Sequence, residues 1–225
     1  MTKFTALVPM KGNSERVPNK NIRDLNGKPA CNWILNTLQS CDCIDQIIVN
    51  TDSDEIRSLC NKFEKIEVIK RPNYLLGDAV SIQPLIEHDL QYSQNEHIIQ
   101  THATNPIIRV ETINNACSRY LDNIETKRYD TLFSVTPIQN RFYYKDGRAI
   151  NHDPENLIQT QLLEPIFEEN SCFYIFSKAN NELTNNRIGK NPDMFEMNVL
   201  ESADIDNWED FYWAEFLLKS EIYKQ

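Results

Sequence analysis

Phe4-Thr5-Ala6-Leu7-Val8-Pro9, running straight into Met10-Lys11-Gly12-Asn13-Ser14-Glu15-Arg16-Val17-Pro18-Asn19-Lys20-Asn21, is the stretch whose reading decides the fold. An apolar run of strand length passes into a polar loop. Gly12 permits backbone geometry and a close ligand approach closed to other residues, and Asn13 and Ser14 tolerate tight turns. Lys11, Arg16 and Lys20 add cations, and consecutive backbone N–H groups in such a loop can form a nest for phosphate oxygens. The guest that fits is a polyphosphate. The same Gly/Asn/Ser/Pro composition also suits an ordinary βα loop. A Walker A loop needs Gly-Lys-Ser/Thr closing onto a helix and a dinucleotide fingerprint needs three glycines; neither occurs here.

Outward from this loop, short apolar runs alternate with longer helical patterns, the signature of an α/β fold with a mainly parallel, doubly wound sheet. Strands are expected over 3–9, 46–51, 66–69, 97–101 and 131–136, with helices near 29–40, 53–63, 81–93 and 110–123. Pro29 suits the first turn of its helix, in which Trp33, Ile34, Thr37 and Leu38 recur on one face. Such sheets bind ligands at the carboxyl ends of their strands. The loops 10–21, 51–53 and 102–109 therefore share one rim. From about 138 the pattern loosens into a hairpin over 141–150, with its turn at Asp146-Gly147, and a strand over 171–176. The expected division is an α/β core of 1–137 and 196–225 and a small antiparallel β insertion or dimerisation region of 138–195. The chain closes in a helix capped by Asn207.

Bulk properties narrow the function. The 225 residues, 40% hydrophobic and 25% charged, suffice for a sizeable core. A formal net charge of −10 argues against general nucleic-acid binding, which needs a basic footprint. An acidic protein that holds a polyphosphate must gather cations locally or recruit a metal. Cys31, Cys41, Cys43, Cys60, Cys117 and Cys172 include no Cys-x-x-Cys pair and read as free thiols. No apolar run approaches the ~20 residues of a membrane span, and the N-terminus has no signal-sequence pattern, so a cytoplasmic protein is expected.

Several constellations could carry chemistry. In extended backbone the carboxylates of Asp204-Ile205-Asp206 face one way, about 6–7 Å apart, able to grip a hard cation while Ile205 points inward. The competing reading is that Asp206-Asn207 merely starts the last helix. After the second strand, Asp52 or Ser53 can cap a helix or meet a ligand. In Gln100-Thr101-His102-Ala103-Thr104-Asn105-Pro106-Ile107-Ile108-Arg109, His102 is either a polar loop residue or a base, and Arg109 can bind a carboxylate bidentately. Asp78 is either a loop cap or a neighbour of phosphate or metal.

Taken in order, these segments resemble the acylneuraminate cytidylyltransferase (CMP-sialic acid synthetase) family, from about residue 4 to 216. Pro9, Gly12, Ser14, Pro18, Lys20 and Asn21 match its N-terminal signature, whereas Lys11 stands for an Arg, Asn13 for a second Gly and Glu15 for a Lys. Asn50-Thr51-Asp52-Ser53, Arg71-Pro72 with Leu76-Gly77-Asp78, and Gln100–Arg109 resemble further segments. Ser202–Phe211 resembles the Asp-Ile-Asp segment whose aspartates hold magnesium. Thr160-Gln161 and Glu169-Asn170-Ser171 resemble sugar-binding pieces, with Thr160 in place of Arg and Ser171 in place of Gly. The Kdo-activating relatives' His-Arg-His-Ile-Gly type segment is absent, which points away from Kdo.

The resemblance implies a Rossmann-like nucleotide-diphospho-sugar transferase fold and transfer of CMP from CTP to a sialic-acid-like 2-keto-3-deoxy sugar acid, with release of pyrophosphate. It implies Mg²⁺ on Asp204 and Asp206, with Lys11, Lys20 and Asp206 as the catalytic groups. Pro9, Lys11, Gly12, Asn13, Ser14, Lys20, Asn21, Asp52 and Asp78 would meet the nucleotide. Gln100, Thr104, Arg109, Gln161 and Asn170 would meet the sugar, and a homodimer is implied. The departures at Lys11, Asn13, Glu15 and Thr160 leave open a non-catalytic sugar-nucleotide binder, or a nucleotidyltransferase for another sugar or nucleotide. A purely structural α/β domain is the remaining alternative.

Overall fold

The computed structural model describes residues 2–77 and 79–220. In chain order the elements are β1 (Phe4–Leu7), β2 (Asp24–Leu25), β3 (Lys28–Pro29), α1 (Cys31–Ser40), β4 (Ile44–Thr51), α2 (Asp54–Cys60), β5 (Ile66–Lys70) and α3 (Ile82–Leu90). Then come β6 (His97–Thr101), α4 (Val110–Glu125), β7 (Thr131–Ile138), β8 (Ile166–Ser177), α5 (Lys178–Thr184), β9 (Pro192–Glu196) and α6 (Trp208–Lys219). The main sheet has the order β5-β4-β1-β6-β8-β7-β9, and β2 and β3 pair separately as a short antiparallel ribbon. The β5, β4, β1 and β6 neighbours are parallel, β8 runs antiparallel to both β6 and β7, and β9 is parallel to β7.

Every residue of β1 is buried, as a parallel strand covered on both faces must be. On one face Phe4, Ala6, Ile47, Val49 and Ile99 pack with Ile34 and Leu38 of α1, Ile56 of α2 and Ile113 and Tyr120 of α4. On the other, Leu7, Ile48, Ile98, Tyr174 and Phe176 pack with Ile86 of α3. The doubly wound arrangement follows from these apolar runs. Ser53 caps α2 by accepting from Ile56 N at 3.3 Å, and Asn207 and Asp210 form a capping box at the start of α6.

Two expectations change. Pro29 is not in the first helical turn: it pairs with Asp24 in the β2–β3 ribbon, and α1 begins two residues later, after Ala30. The stretch 138–195 does not stand apart as an insertion, because β8 sits between β6 and β7 in the main sheet and β9 forms its edge. What leaves the sheet is 139–165, where Tyr144 N and Ile150 N bond to Arg148 O and Phe142 O around a turn with Gly147 at φ 86°. Exposed Tyr143, Tyr144, Leu157 and Leu162 decorate this segment.

Candidate active site

Past the end of β1 the chain keeps following β4, with Val8 N and Met10 N donating to Ile48 O and Asn50 O, each at 2.9 Å. The loop that begins at Lys11 therefore opens at the carboxyl edge of the sheet. Gly12 N donates to Asp52 Oδ1 at 2.7 Å, and a Cβ on Gly12 would sit 2.8 Å from the Ser53 Cβ. Close approach to the β4–α2 turn thus demands glycine here. Asn21 closes the loop by donating Nδ2 to Lys11 O at 2.9 Å.

The loop is fastened to the far end of the chain. Val17, Leu25 and Ala30 bury against Ile205, Phe211 and Ala214. Each large apolar side chain buried in this way contributes about 1.5–3 kcal/mol. Ile205 N donates to Thr104 O at 2.9 Å, and Lys20 Nζ donates to Ile205 O. The loop, the end of β6 and the segment before α6 are drawn together by these contacts.

Between them lies a cleft of about 490 Å³. The loop contributes Lys11, Ser14, Arg16 and Lys20; the end of β6 contributes His102 and Thr104; the C-terminal segment contributes Asp204 and Asp206; the segment after α5 contributes Arg187. A hollow of about 340 Å³ shares Ser171, Asp204 and Asp206 with the cleft and adds Glu169 and Asn170. A smaller one of about 180 Å³ shares Lys11 and Glu15 and adds Asn13, Asp52 and Arg71. Arg71 is buried, its Nε 2.8 Å from Asn50 Oδ1, and burial lowers its pKa.

The charges in the cleft are unevenly satisfied. Asp206 Oδ1 accepts from Arg16 at 2.9 Å and lies 3.6 Å from Lys20 Nζ. Burial depresses the Lys20 pKa, outweighing the opposing pull of Asp206 and Asp204. Burial pushes the Asp204 carboxyl up, against a hydrogen bond from Thr104, and the charge of Asp206 raises it further. Asp204 Oδ1 is buried with no hydrogen-bond partner. Since Asn207 and Asp210 do the capping, neither aspartate is needed to start α6. An orphaned carboxylate oxygen beside a second carboxylate fits a hard cation. Among the described residues no cluster of three or more His, Cys, Asp or Glu is placed to hold a metal. Two carboxylates plus ligand phosphates is the magnesium pattern.

His102 is set as a neutral group. Gln100 Oε1 accepts from Arg187 at 2.7 Å and its Nε2 donates to Thr101 O, so the amide is oriented with Nε2 toward His102 Nε2, 3.3 Å away. Burial, then the charges of Arg187 and Lys20, lower the His102 pKa to about 4. An imidazole of such weak basicity serves better as a hydrogen-bonding wall than as a general base.

Pro9, Lys11, Ser14, Lys20, Asn21, Thr104, Asp204 and Asp206 line the cleft. Asn13 and Asp52 line the smaller hollow, with Asp52 holding Gly12, and Asp78 lies outside the described residues. Arg109, expected at the sugar, is not among the cleft-lining residues; it precedes α4 with Nε 3.4 Å from Glu201 Oε1. Gln161 is exposed in a 3-10 turn, bonded to Gln159. Asn170 reaches the adjoining hollow, but its amide is taken by Ser134, Thr136 and Cys172 N. Gln100 is buried and meets the cleft through His102 and Arg187. Arg187 was not anticipated: it lies where the sequence pattern loosens, and its only nearby signal is the turn residue Gly189.

A sequence profile of the family described as cytidylyltransferase matches residues 5–222. Pseudaminic acid cytidylyltransferase of Campylobacter jejuni is 24% identical, over 96% of this chain and 97% of its own length. CMP-N,N'-diacetyllegionaminic acid synthase of the same species is 26% identical, over 97% and 96%. Among solved structures, CMP:2-keto-3-deoxy-manno-octonic acid synthetase complexed with CTP superposes with a TM-score of 0.69 at 14% identity, covering 96% of this chain and 98% of that one. With the profile spanning nearly the whole chain, and the loop and the C-terminal aspartates meeting in one cleft, this protein belongs to the cytidylyltransferase family.

Proposed function

We propose that this protein joins CMP from CTP to a nonulosonic acid of the pseudaminic, legionaminic or sialic type, releasing pyrophosphate. The observation that carries the reading is the meeting, in one cleft, of Lys11, Arg16 and Lys20 with Asp204 and Asp206. Relatives of nearly equal length, named for pseudaminic and legionaminic acids, support the substrate class.

In this reaction the anomeric hydroxyl of the sugar acid attacks the α-phosphorus of CTP. A new P–O bond forms, the bond to the β-phosphate bridge breaks, the hydroxyl proton is lost, and pyrophosphate departs. No protein nucleophile is needed. Asp204 and Asp206 would hold Mg²⁺, which when bound neutralises phosphate charge and makes the hydroxyl more acidic. Lys20, half-withdrawn from water, and Lys11 stabilise charge developing on the phosphates, where positioned cations act most strongly. Arg16, which pairs with Asp206 here, is a third cation available to the triphosphate. Ser14 and Asn13 offer hydrogen bonds beside them. Neutral His102 and the Thr104 segment shape the opposite part of the cleft.

A homodimer formed through the exposed apolar side chains of 139–165 and a cytoplasmic setting complete the proposal. The test is pyrophosphate release by purified protein given Mg²⁺, each of the four nucleoside triphosphates, and pseudaminic, legionaminic, N-acetylneuraminic and ketodeoxy acids in turn. Release with CTP and a nonulosonic acid supports the reading. CTP that stabilises the protein without turnover on any acid would instead favour a sugar-nucleotide binder.

A further inference from the structure

The cleft has two separate sources of positive charge. Lys11, Arg16 and Lys20 come from the N-terminal loop. Arg187 comes from the segment between α5 and β9 and is held firmly. Ile188 N donates to Asn186 Oδ1 at 3.1 Å, Gly189 N to Thr131 Oγ1 at 2.9 Å, and Lys190 N and Asn191 N to Asp130 Oδ2. A Cβ on Gly189 would lie 2.3 Å from Asp130 Oδ1, so this turn admits only glycine without rearrangement.

Its guanidinium is pre-set in the same way. The side chain is 16% exposed, its Cζ lies 3.5 Å from the centre of the Tyr174 ring, and one amino group donates to Gln100 Oε1. The other amino group forms only a long ion pair with Glu169 Oε1, at 4.0 Å, beyond hydrogen-bond distance. Glu169 instead accepts the Tyr174 hydroxyl. A planar cation stacked on an aromatic face, fixed by one amide and lining the cleft, matches a carboxylate better than any other donor here. The other arginine suited to that task by sequence, Arg109, stands against Glu201.

We infer that Arg187 binds the carboxylate of the acidic sugar, with Gln100 and Tyr174 as positioning residues, and that it makes this site select acids over their neutral analogues. The inference rests on the proposed transfer to a sugar acid. It is tested by steady-state kinetics of wild type, Arg187→Gln and Arg187→Lys, using the sugar acid that wild type turns over and its C1 carboxamide. Loss of a charge-assisted hydrogen bond predicts that Arg187→Gln raises the KM for the sugar acid about 10- to 100-fold while the KM for CTP stays within about twofold. The wild-type preference for acid over amide should collapse in the same variant. Arg187→Lys should recover part of it, because charge is kept but the fork is lost. A CTP-induced rise in melting temperature in Arg187→Gln shows an intact nucleotide site; if that variant does not fold, Arg187→Lys supplies the same comparison. Equal changes in both KM values, or an undiminished preference for the acid, overturns the assignment of Arg187 alone. No turnover by wild type with any sugar acid overturns the transfer reaction and the inference together.

Discussion

Asp206→Asn separates the chemistry of the cleft from its architecture. Asp206 is 48% exposed, and its partner Arg16 is 65% exposed, at 2.9 Å. An ion pair so open to water contributes about 0–1 kcal/mol, and Lys20, 3.6 Å from Asp206, keeps Asp204 as a nearby opposite charge when Asp206 is neutralised. For a chain of this size that corresponds to a melting temperature lower by at most about 2–4 °C. The helix start is unaffected, because the capping box is made by Asn207 and Asp210 and uses only the backbone N–H of Asp206. Removing a single oxyanion-hole donor costs about 10²–10³ in turnover, and loss of one of the two carboxylates proposed to hold Mg²⁺ should cost at least as much. The assay pairs Mg²⁺-dependent pyrophosphate release with thermal denaturation, with Asp54→Asn as the control. Asp54 is 91% exposed and pairs with Arg57 at 3.3 Å, so its loss should leave both readouts near wild type. Wild-type activity in Asp206→Asn refutes the metal assignment. A large drop in melting temperature would refute the argument that Asp206 contributes little to folding.

Other parts of the site give independent outcomes. Gly12→Ala forces apart the 2.8 Å approach to Ser53, and overpacking of this kind costs roughly 1–3 kcal/mol; denaturant melts should show that loss together with a raised KM for CTP. Glu15, exposed between the cleft and the smaller hollow, brings negative charge to the loop proposed to hold the triphosphate. Glu15→Gln should lower the KM for CTP by roughly two- to fivefold at low salt, an effect that fades as added salt screens it. His102 is held to about 4, below its ordinary 6.5, so the unfolded chain takes up its proton first. Its contribution is therefore fully present above pH 6.5 and is lost as pH falls toward 4, by about 3 kcal/mol at most. Asp89 and Asp204, both raised by burial, act in the opposite sense in the carboxylate range. The readout is thus the difference between wild type and His102→Gln in urea melts across pH 4–7, with the variant showing the shallower fall.

The sheet was legible because its strands are short, apolar and separated by helical periods. The expected 97–101 strand coincides with β6, and the 46–51, 66–69 and 131–136 strands differ from β4, β5 and β7 by a residue or two at an end. Pro29 misled because a proline at a helix start and a proline closing a two-residue ribbon look alike locally; only pairing with Asp24 distinguishes them. The place of β8 in the main sheet was hidden for a similar reason. Antiparallel insertion of a strand between β6 and β7 is a long-range choice, and Ser171–Phe176 carries no mark of which neighbours it takes. The cleft divides along the same line. Its loop and aspartates announce themselves through local residue types, while Val17 against Ile205 is what joins them. Arg109, between Ile108 and Val110, and Arg187, between Asn186 and Ile188, carry no local mark of their partners. Only the neighbouring Glu201 and Tyr174 tell the two apart.

The most direct measurement is the mass of the product. Protein incubated with CTP, Mg²⁺ and a mixture of pseudaminic, legionaminic and N-acetylneuraminic acids should yield one or more CMP-sugars, each accompanied by an equal amount of pyrophosphate and absent when the metal is chelated. Recovery of unchanged CTP and sugars, from protein whose melting temperature CTP does not raise, would contradict the account.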